Sequence, residues 1–136
     1  VVYLERARRY SDRFTGFSKE SLLFRGNIAW MDGDLAECRQ NYELITELYP
    51  DDREGFHYTG LYYHYLEGDY ERAISFYDEA IALSPEYFAM YRDKAYATAH
   101  LYGVESAIES LQGYLREYED GPGAEHARYV IADLRN

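Results

Sequence analysis

Glycine and proline recur along this chain at a nearly constant interval. Gly33, Gly68 and Gly103 are 35 residues apart, and a proline follows each of them after 17 to 19 residues. Glycine permits the tight turn that ends a helix, and proline disfavours the continuation of one. A period of this length is typical of arrays in which one helical hairpin is repeated. The 136 residues have room for three such units and short flanking segments.

The segments between these positions have the apolar spacing of α-helices. After Gly68, apolar or small side chains stand at Tyr70, Ala73, Ile74, Tyr77, Ala80 and Ile81, which form one stripe along a helix. The same kind of stripe follows the other two glycines. Tyrosine-rich helices are also predicted before each glycine, over about 19–31, 54–66 and 87–101. Because one hairpin cannot bury its own apolar stripe, successive hairpins must stack on one another.

The central unit resembles the tetratricopeptide repeat. Its first helix matches that family's pattern at Phe56, Gly60 and Tyr63. Its second helix matches the pattern at Ala73, Tyr77 and Ala80, and Pro85 closes the unit. One extra residue before Gly68 leaves the register of the first helix open by one position. The other two units match less well, since Ile45 and Tyr114 stand where small residues are usual. Such larger residues either open the contact between hairpins or mark the end of the array.

The resemblance implies an all-α fold, a right-handed superhelical stack of antiparallel helix pairs with about three hairpins plus flanking helices. A single α-solenoid array would then span 1–136. Its parts are expected at 1–18 (N-terminal helix), 19–52, 53–86 and 87–122 (three repeats), and 123–136 (C-terminal capping helix). Ala80 is expected where helices approach closely, so a glutamate there should cost at least about 3 kcal/mol.

Charge and composition argue against several classes of function. Acidic residues outnumber basic ones by 25 to 14, which gives a net charge of −11, whereas nucleic-acid binding needs clustered Lys and Arg. No apolar run of about 18 residues is present, so we expect no membrane insertion. The lack of a signal-peptide pattern slightly favours the cytoplasm without fixing the compartment. A chain that starts at Val1 is expected to be processed or to be part of a longer polypeptide.

The sequence contains no common catalytic or cofactor-binding motif, neither a phosphate loop, nor a zinc-binding helix, nor a nucleophile turn. A calcium loop that begins at Asp32 and Asp34 is not completed, because Ala36 stands where an oxygen ligand is needed. Both aspartates are instead expected at a turn and a helix start. We therefore predict a protein without catalytic activity, metal or cofactor.

Histidine and cysteine are the other side chains of this sequence that could act as metal ligands or nucleophiles. His57 and His64 are two helical turns apart, and His100 is expected in the next hairpin. A zinc site would need a specific inward geometry and a fourth ligand, so hydrogen-bonding histidines are the preferred interpretation. Cys38, the single cysteine, is expected to pack as a small apolar residue.

In the tetratricopeptide repeat family, the first helices of successive hairpins line a concave groove that holds a segment of a partner protein. Transferring that face gives, unit by unit, Leu23, Asn27, Trp30, His57, Leu61, His64, Arg92, Tyr96 and His100. If the central register slips by one, Tyr58 and Tyr65 line the groove instead. Only Asn27 and Arg92 match the clamp of Lys, Arg and Asn by which some members grip a terminal carboxylate. We therefore expect a ligand with apolar or aromatic side chains rather than a clamp.

These observations predict a scaffold or adaptor that binds a peptide segment of a partner in a concave aromatic groove. Two alternatives stay open. The surfaces rich in tyrosine (17 residues) would allow two copies to form a homodimer, or the array would be the regulatory arm of a larger enzyme. Replacement of Trp30 and Tyr96 by alanine should abolish partner binding, whereas burial of both in a closed core would contradict the groove.

Overall fold

The fold is described here for residues 16–136 of a computed structural model. These residues form seven α-helices and no strand. The helices are α1 (Lys19–Asp32), α2 (Leu35–Leu48), α3 (Arg53–Tyr62), α4 (Tyr70–Leu83), α5 (Phe88–Tyr102), α6 (Val104–Glu117) and α7 (Ala124–Arg135). A π-helical turn, Tyr63–Glu67, continues α3. Most of the helix expected over 1–18 lies outside the described residues.

Each helix packs against the one before it and the one after it along the chain. The pairs α1–α2, α3–α4 and α5–α6 are the three hairpins, and α7 packs on α6 and α5. This is the all-α stack of antiparallel helix pairs expected from the sequence. None of the described helices is both long and apolar enough to cross a membrane.

The turns inside the hairpins are determined by local chemistry. Gly33 and Gly68 have φ values of 77° and 65°, a left-handed conformation that a side chain would strain. The next residues, Asp34 and Asp69, cap the second helices. Their carboxylates accept backbone N–H bonds from three residues on, at 3.2 and 3.1 Å. These caps satisfy donors that a helix start leaves unpaired, and they confirm the expected role of Asp34.

The core consists of two clusters of buried side chains, and α5 contributes to both. The first cluster lies among α1 to α4 and includes Ala97 of α5. The second lies among α5, α6 and α7 and includes Ala95. Helix α5 is therefore buried on two sides, as expected for an inner helix of a stack.

Two side chains that exceed the family pattern, Ile45 and Tyr114, are nevertheless buried. A Cβ added at Gly55 would lie 2.7 Å from Cγ2 of Ile45. A Cβ added at Gly123 would collide with the hydroxyl oxygen of Tyr114. A glycine in the next segment thus makes room for each larger side chain, so the opening of the hairpin contact considered from the sequence does not occur.

Gly60 and Gly113 offer a matched test of this close packing. A Cβ on Gly60 would lie 2.6 Å from ring atoms of Tyr77, whose side chain is fully buried. A Cβ on Gly113 would meet only Arg116, at 3.6 Å. Since alanine favours helix over glycine by about 1 kcal/mol, we expect Gly113→Ala to raise the free energy of unfolding by up to that amount.

Gly60→Ala is expected to lower the free energy of unfolding by about 1–3 kcal/mol, because overpacking outweighs the gain in helix propensity. Urea unfolding followed by circular dichroism measures both variants. If Gly60→Ala stabilises the protein as much as Gly113→Ala, α3 and α4 do not approach as closely as described.

Candidate functional site

Three pockets lie side by side along the face formed by the first helices of the hairpins. The apolar pocket has a volume of about 280 Å³ and is lined by Asn27, Trp30, Met31, Tyr42, Tyr58 and Leu61. The arginine pocket measures about 420 Å³ and is lined by Arg53, Glu54, His57, Tyr58, Leu61, Tyr87, Ala89 and Arg92. The α7 pocket measures about 300 Å³ and is lined by Glu86, Tyr87, Phe88, Ala89, Arg92, Pro122, Gly123 and His126. Tyr58 and Leu61 are shared by the first two pockets and Tyr87, Ala89 and Arg92 by the last two, so the three pockets adjoin one another, and together they are called the groove.

A larger pocket of about 620 Å³ lies at the loops between hairpins and shares Arg53 and Glu54 with the arginine pocket. Its walls are mainly polar or charged, and Lys19 Nζ pairs with Asp52 Oδ2 at 2.6 Å. The loops therefore offer little apolar surface to a ligand. We therefore regard the groove on the first helices, rather than this larger space, as the candidate site.

The apolar pocket is shaped by a fully packed tyrosine from the second helix. Tyr42 is 1% exposed, and its hydroxyl donates a hydrogen bond of 2.5 Å to Oδ1 of Asn27. The rings of Trp30 and Tyr58 pack against it with centroids 6.5 and 5.4 Å away. Burial raises the pKa of Tyr42 far above its ordinary value, so its hydroxyl stays protonated and continues to hold Asn27. The pocket is therefore a preformed apolar recess.

Beside the arginine pocket lies a buried carboxylate that contacts both a histidine and an arginine. Asp93 Oδ2 is 2.7 Å from His57 Nε2 of α3, and Oδ1 is 3.2 Å from Arg92 Nε. Burial alone would raise the pKa of Asp93, but the hydrogen bonds from His57 and Arg92 outweigh it and leave that pKa below its ordinary value. Asp93 is thus ionised, and it joins α3 to α5 across the groove floor.

Two arginines and one glutamate are the Arg, Lys, Asp and Glu side chains that line this pocket, whereas Asp93 is buried. The Arg92 side chain is 45% exposed, whereas that of Asp93 is 6% exposed. The guanidinium of Arg53 lies 3.8 Å from the ring centroid of Tyr87 and donates to the Ser84 hydroxyl at 3.2 Å. Two guanidinium groups with fixed partners therefore line the middle of the groove.

The π-helical turn settles the register that the sequence left open. An extra residue inserted in a helix is accommodated by such a turn, here at Tyr63–Glu67. The turn places His64 in the interior, where it is 4% exposed and its Nδ1 lies 2.9 Å from the Tyr77 hydroxyl. The expectation that His64 lines the groove is therefore corrected. Tyr65, the residue of the alternative register, is 56% exposed.

Five of the nine residues expected in the groove line these pockets, namely Asn27, Trp30, His57, Leu61 and Arg92. Leu23 instead packs against the first core cluster. Tyr96 lies in α5, part-buried, and its hydroxyl donates to Asp133 of α7 at 2.8 Å. His100 is exposed and stacks on Tyr70 with centroids 4.6 Å apart. Neither Trp30 nor Tyr96 is sealed in the core.

Sequence reasoning missed Asp93, Met31 and Arg53, which the structure brings into the site. Asp93 had a detectable signal, because it lies on the same helical stripe as the buried Met90 and Ala97. It also follows His57 by 36 residues, about one repeat period. A carboxylate on a buried stripe requires a partner, and the period indicates which residue supplies it. Arg53 and Met31 carried no comparable signal.

The residues weighed for metal binding or nucleophilic chemistry have structural roles. No group of three or more His, Cys, Asp or Glu in residues 16–136 is arranged to hold a metal ion. Burial raises the pKa of the Cys38 thiol to about 11, and the residue is fully buried. The thiol is therefore protonated and packed, as expected for a small apolar residue.

Comparisons with known proteins agree with this architecture. A sequence model described as "Tetratricopeptide repeat" matches residues 60–87. No curated protein matches the chain in sequence. A thermophilic TPR protein of Thermus thermophilus has a similar structure, with a TM-score of 0.73 at 20% identity over 96% of this chain and 70% of that one.

Two further similar structures contain partner molecules. The TPR2B domain of yeast Sti1, solved in a complex with pHsp70, has a TM-score of 0.69 at 20% identity over 86% of this chain and 95% of that one. The first TPR domain of Spaghetti (RPAP3), bound to the HSP90 peptide SRMEEVD, has a TM-score of 0.65 at 20% identity over 87% and 96%. At such identities these likenesses establish the fold. The chain therefore has the fold of tetratricopeptide repeat proteins, and its sequence matches that repeat over residues 60–87.

Proposed function

We propose that this protein is an interaction scaffold or adaptor that binds a peptide segment of a partner protein along the first helices of its hairpins. The observation that carries the proposal is the row of three adjoining pockets across α1, α3 and α5. An enzyme site is usually one concave recess with converging polar groups. A row of pockets, one apolar and the next lined by two arginines, suits an extended chain instead.

Two of the similar structures support the proposal that a partner peptide is bound. One of them is bound to a peptide of HSP90 and another is in a complex with pHsp70. The side chains that line the present groove are the types that most often dominate binding energy, since Trp30, Tyr58 and Arg92 are among them. Their positions are preset by Tyr42 and Asp93, so little ordering cost remains to be met on binding.

The proposal is tested by selecting binders from a library of random dodecapeptides displayed between two flanking domains. For selected peptides, fluorescence anisotropy gives the Kd for the wild type and for the double variant Trp30→Ala/Tyr96→Ala. We expect the Kd to rise at least about tenfold, because Trp30 is an aromatic wall of the apolar pocket. Tyr96 lines none of the three pockets, so its replacement tests whether the peptide also reaches that part of α5. Circular dichroism should show an unchanged helical signal.

Leu83→Ala is the control, because Leu83 is 38% exposed on the second helix of its hairpin and lines none of the three pockets. Its Kd should equal that of the wild type. Selection of no peptide, or equal binding by the double variant, would contradict a peptide-binding groove.

A further inference from the structure

We propose that the groove recognises an internal peptide segment that carries a bulky apolar side chain and, two or three residues away, an acidic side chain. The apolar side chain enters the apolar pocket, and the carboxylate binds Arg92, with Arg53 beside it. This inference rests on the proposed function and specifies the chemistry of the partner.

The apolar half follows from the composition and size of the first pocket. Its walls present the rings of Trp30 and Tyr58 and the side chains of Met31 and Leu61. Its most polar groups, the Tyr42 hydroxyl and the Asn27 carbonyl oxygen, are bonded to each other. A polar ligand group would therefore lose its water without gaining a partner there. The volume of about 280 Å³ accommodates one large aliphatic or aromatic side chain.

The acidic half follows from which charges reach the surface of the second pocket. Asp93 is hidden below Arg92, so a ligand meets the guanidinium rather than the carboxylate. Glu54 also lines this pocket, but its carboxylate is paired with a lysine: Oε1 of Glu54 lies 3.7 Å from Nζ of Lys19. Arg92 donates from Nε and Nη2 to Asp93, which leaves Nη1 and the second hydrogen of Nη2 to form paired hydrogen bonds with a ligand carboxylate.

The groove continues on both sides of Arg92, which favours an internal segment over a chain end. Arg92, Tyr87 and Ala89 line both the arginine pocket and the α7 pocket. A peptide whose carboxylate rests on Arg92 can therefore extend past it toward His126. A terminal carboxylate would leave that third pocket unused.

The separation of the two side chains follows from helix and strand dimensions. The apolar pocket lies between α1 and α3, and the arginine pocket lies between α3 and α5. The two pockets share Tyr58 and Leu61 and so lie on either side of α3. A helix with its side chains is about 10 Å across, and an extended peptide advances about 3.3 Å per residue. Two or three residues therefore span the distance between the pockets.

The test uses the same library of dodecapeptides held at both ends. We expect the selected sequences to be enriched in Leu, Met, Phe or Trp with Asp or Glu two or three positions away. A synthetic peptide of the enriched consensus, acetylated and amidated at its termini, is then compared with versions in which the acid becomes its amide. On the wild type the amide version should bind about tenfold more weakly, as expected for loss of a charge-assisted pair.

A double-mutant cycle with Arg92→Gln isolates the proposed contact. On that variant, the acid and amide peptides should bind equally. Lys94→Gln is the control, because Lys94 pairs with Asp78 of α4 and lines none of the three pockets, so it should retain the full preference for the acid.

The outcomes separate this inference from the proposed function. The selected peptides could show no preference for an acid and still bind more weakly to the Trp30→Ala/Tyr96→Ala variant. That result would overturn the inference and leave the proposed function standing. An equal preference for the acid in Arg92→Gln and in the wild type would also overturn it. Binding that requires a free C-terminal carboxylate, checked with non-amidated peptides, would show that the groove takes a chain end. Selection of no peptide would overturn both.

Discussion

Ala80→Glu is expected to lower the free energy of unfolding by at least about 3 kcal/mol. Ala80 is fully buried in α4, on the same stripe as Ala73 and Tyr77. A glutamate there has no room for its side chain and carries a charge into the buried stripe of α4. Overpacking and the buried charge both destabilise the fold. If the surrounding side chains move to relieve the overpacking, the cost of the buried charge is still present.

Ala82→Glu is the matched control, because Ala82 lies in the same helix and is exposed. The two variants share the small loss of helix propensity, so the difference between their unfolding free energies reports burial alone. Thermal and urea unfolding measure it. Equal midpoints for the two variants would show that the stripe of α4 assigned here does not face the core.

Asp93→Ala is expected to destabilise the protein by about 2–4 kcal/mol, near the range for removing one partner of a buried ion pair. The change leaves His57 without its hydrogen bond in a side-chain environment that is only 14% exposed. Arg92 is better able to return to water, since its side chain is 45% exposed. The loss should therefore fall somewhat below that for a fully buried pair. Urea unfolding of the variant and the wild type measures it.

The loss of unfolding free energy caused by Asp93→Ala is expected to depend on pH. The folded-state pKa of Asp93 lies below its ordinary value of 3.8, so its ionised form stabilises the fold fully above that value. The stabilisation is lost as the pH falls through the folded-state pKa. The gap in unfolding free energy between wild type and Asp93→Ala should thus be wide near pH 6 and narrow toward pH 3.

Asp78→Ala controls for the loss of an ion pair as such. Asp78 and Lys94 join α4 and α5 at 2.7 Å, but the Asp78 side chain is 53% exposed. Solvent screens such a pair, so its removal should cost less than about 1 kcal/mol. If Asp93→Ala is no more destabilising than Asp78→Ala, the carboxylate under Arg92 does not join the two helices as described.

Much of the fold followed from patterns that are local in the sequence. The glycine period located the hairpin turns, and the apolar spacing located α1, α5 and, together with its π-helical turn, α3 to within about one residue at each end. Capping by Asp34 followed for the same reason, because a cap and its helix are adjacent in the chain. These features are determined by residues within a few positions of one another, so a single sequence reveals them.

The floor of the groove was decided by contacts between distant residues. Whether Ile45 opens the stack depended on Gly55 in the next hairpin. Whether His64 or Tyr65 reached the surface depended on how a π-helical turn absorbed one residue. Periodicity assigns a residue to a face of its helix, but it does not say which side chain of the neighbouring helix meets it. That pairing depends on close packing in three dimensions, which only the tertiary structure supplies.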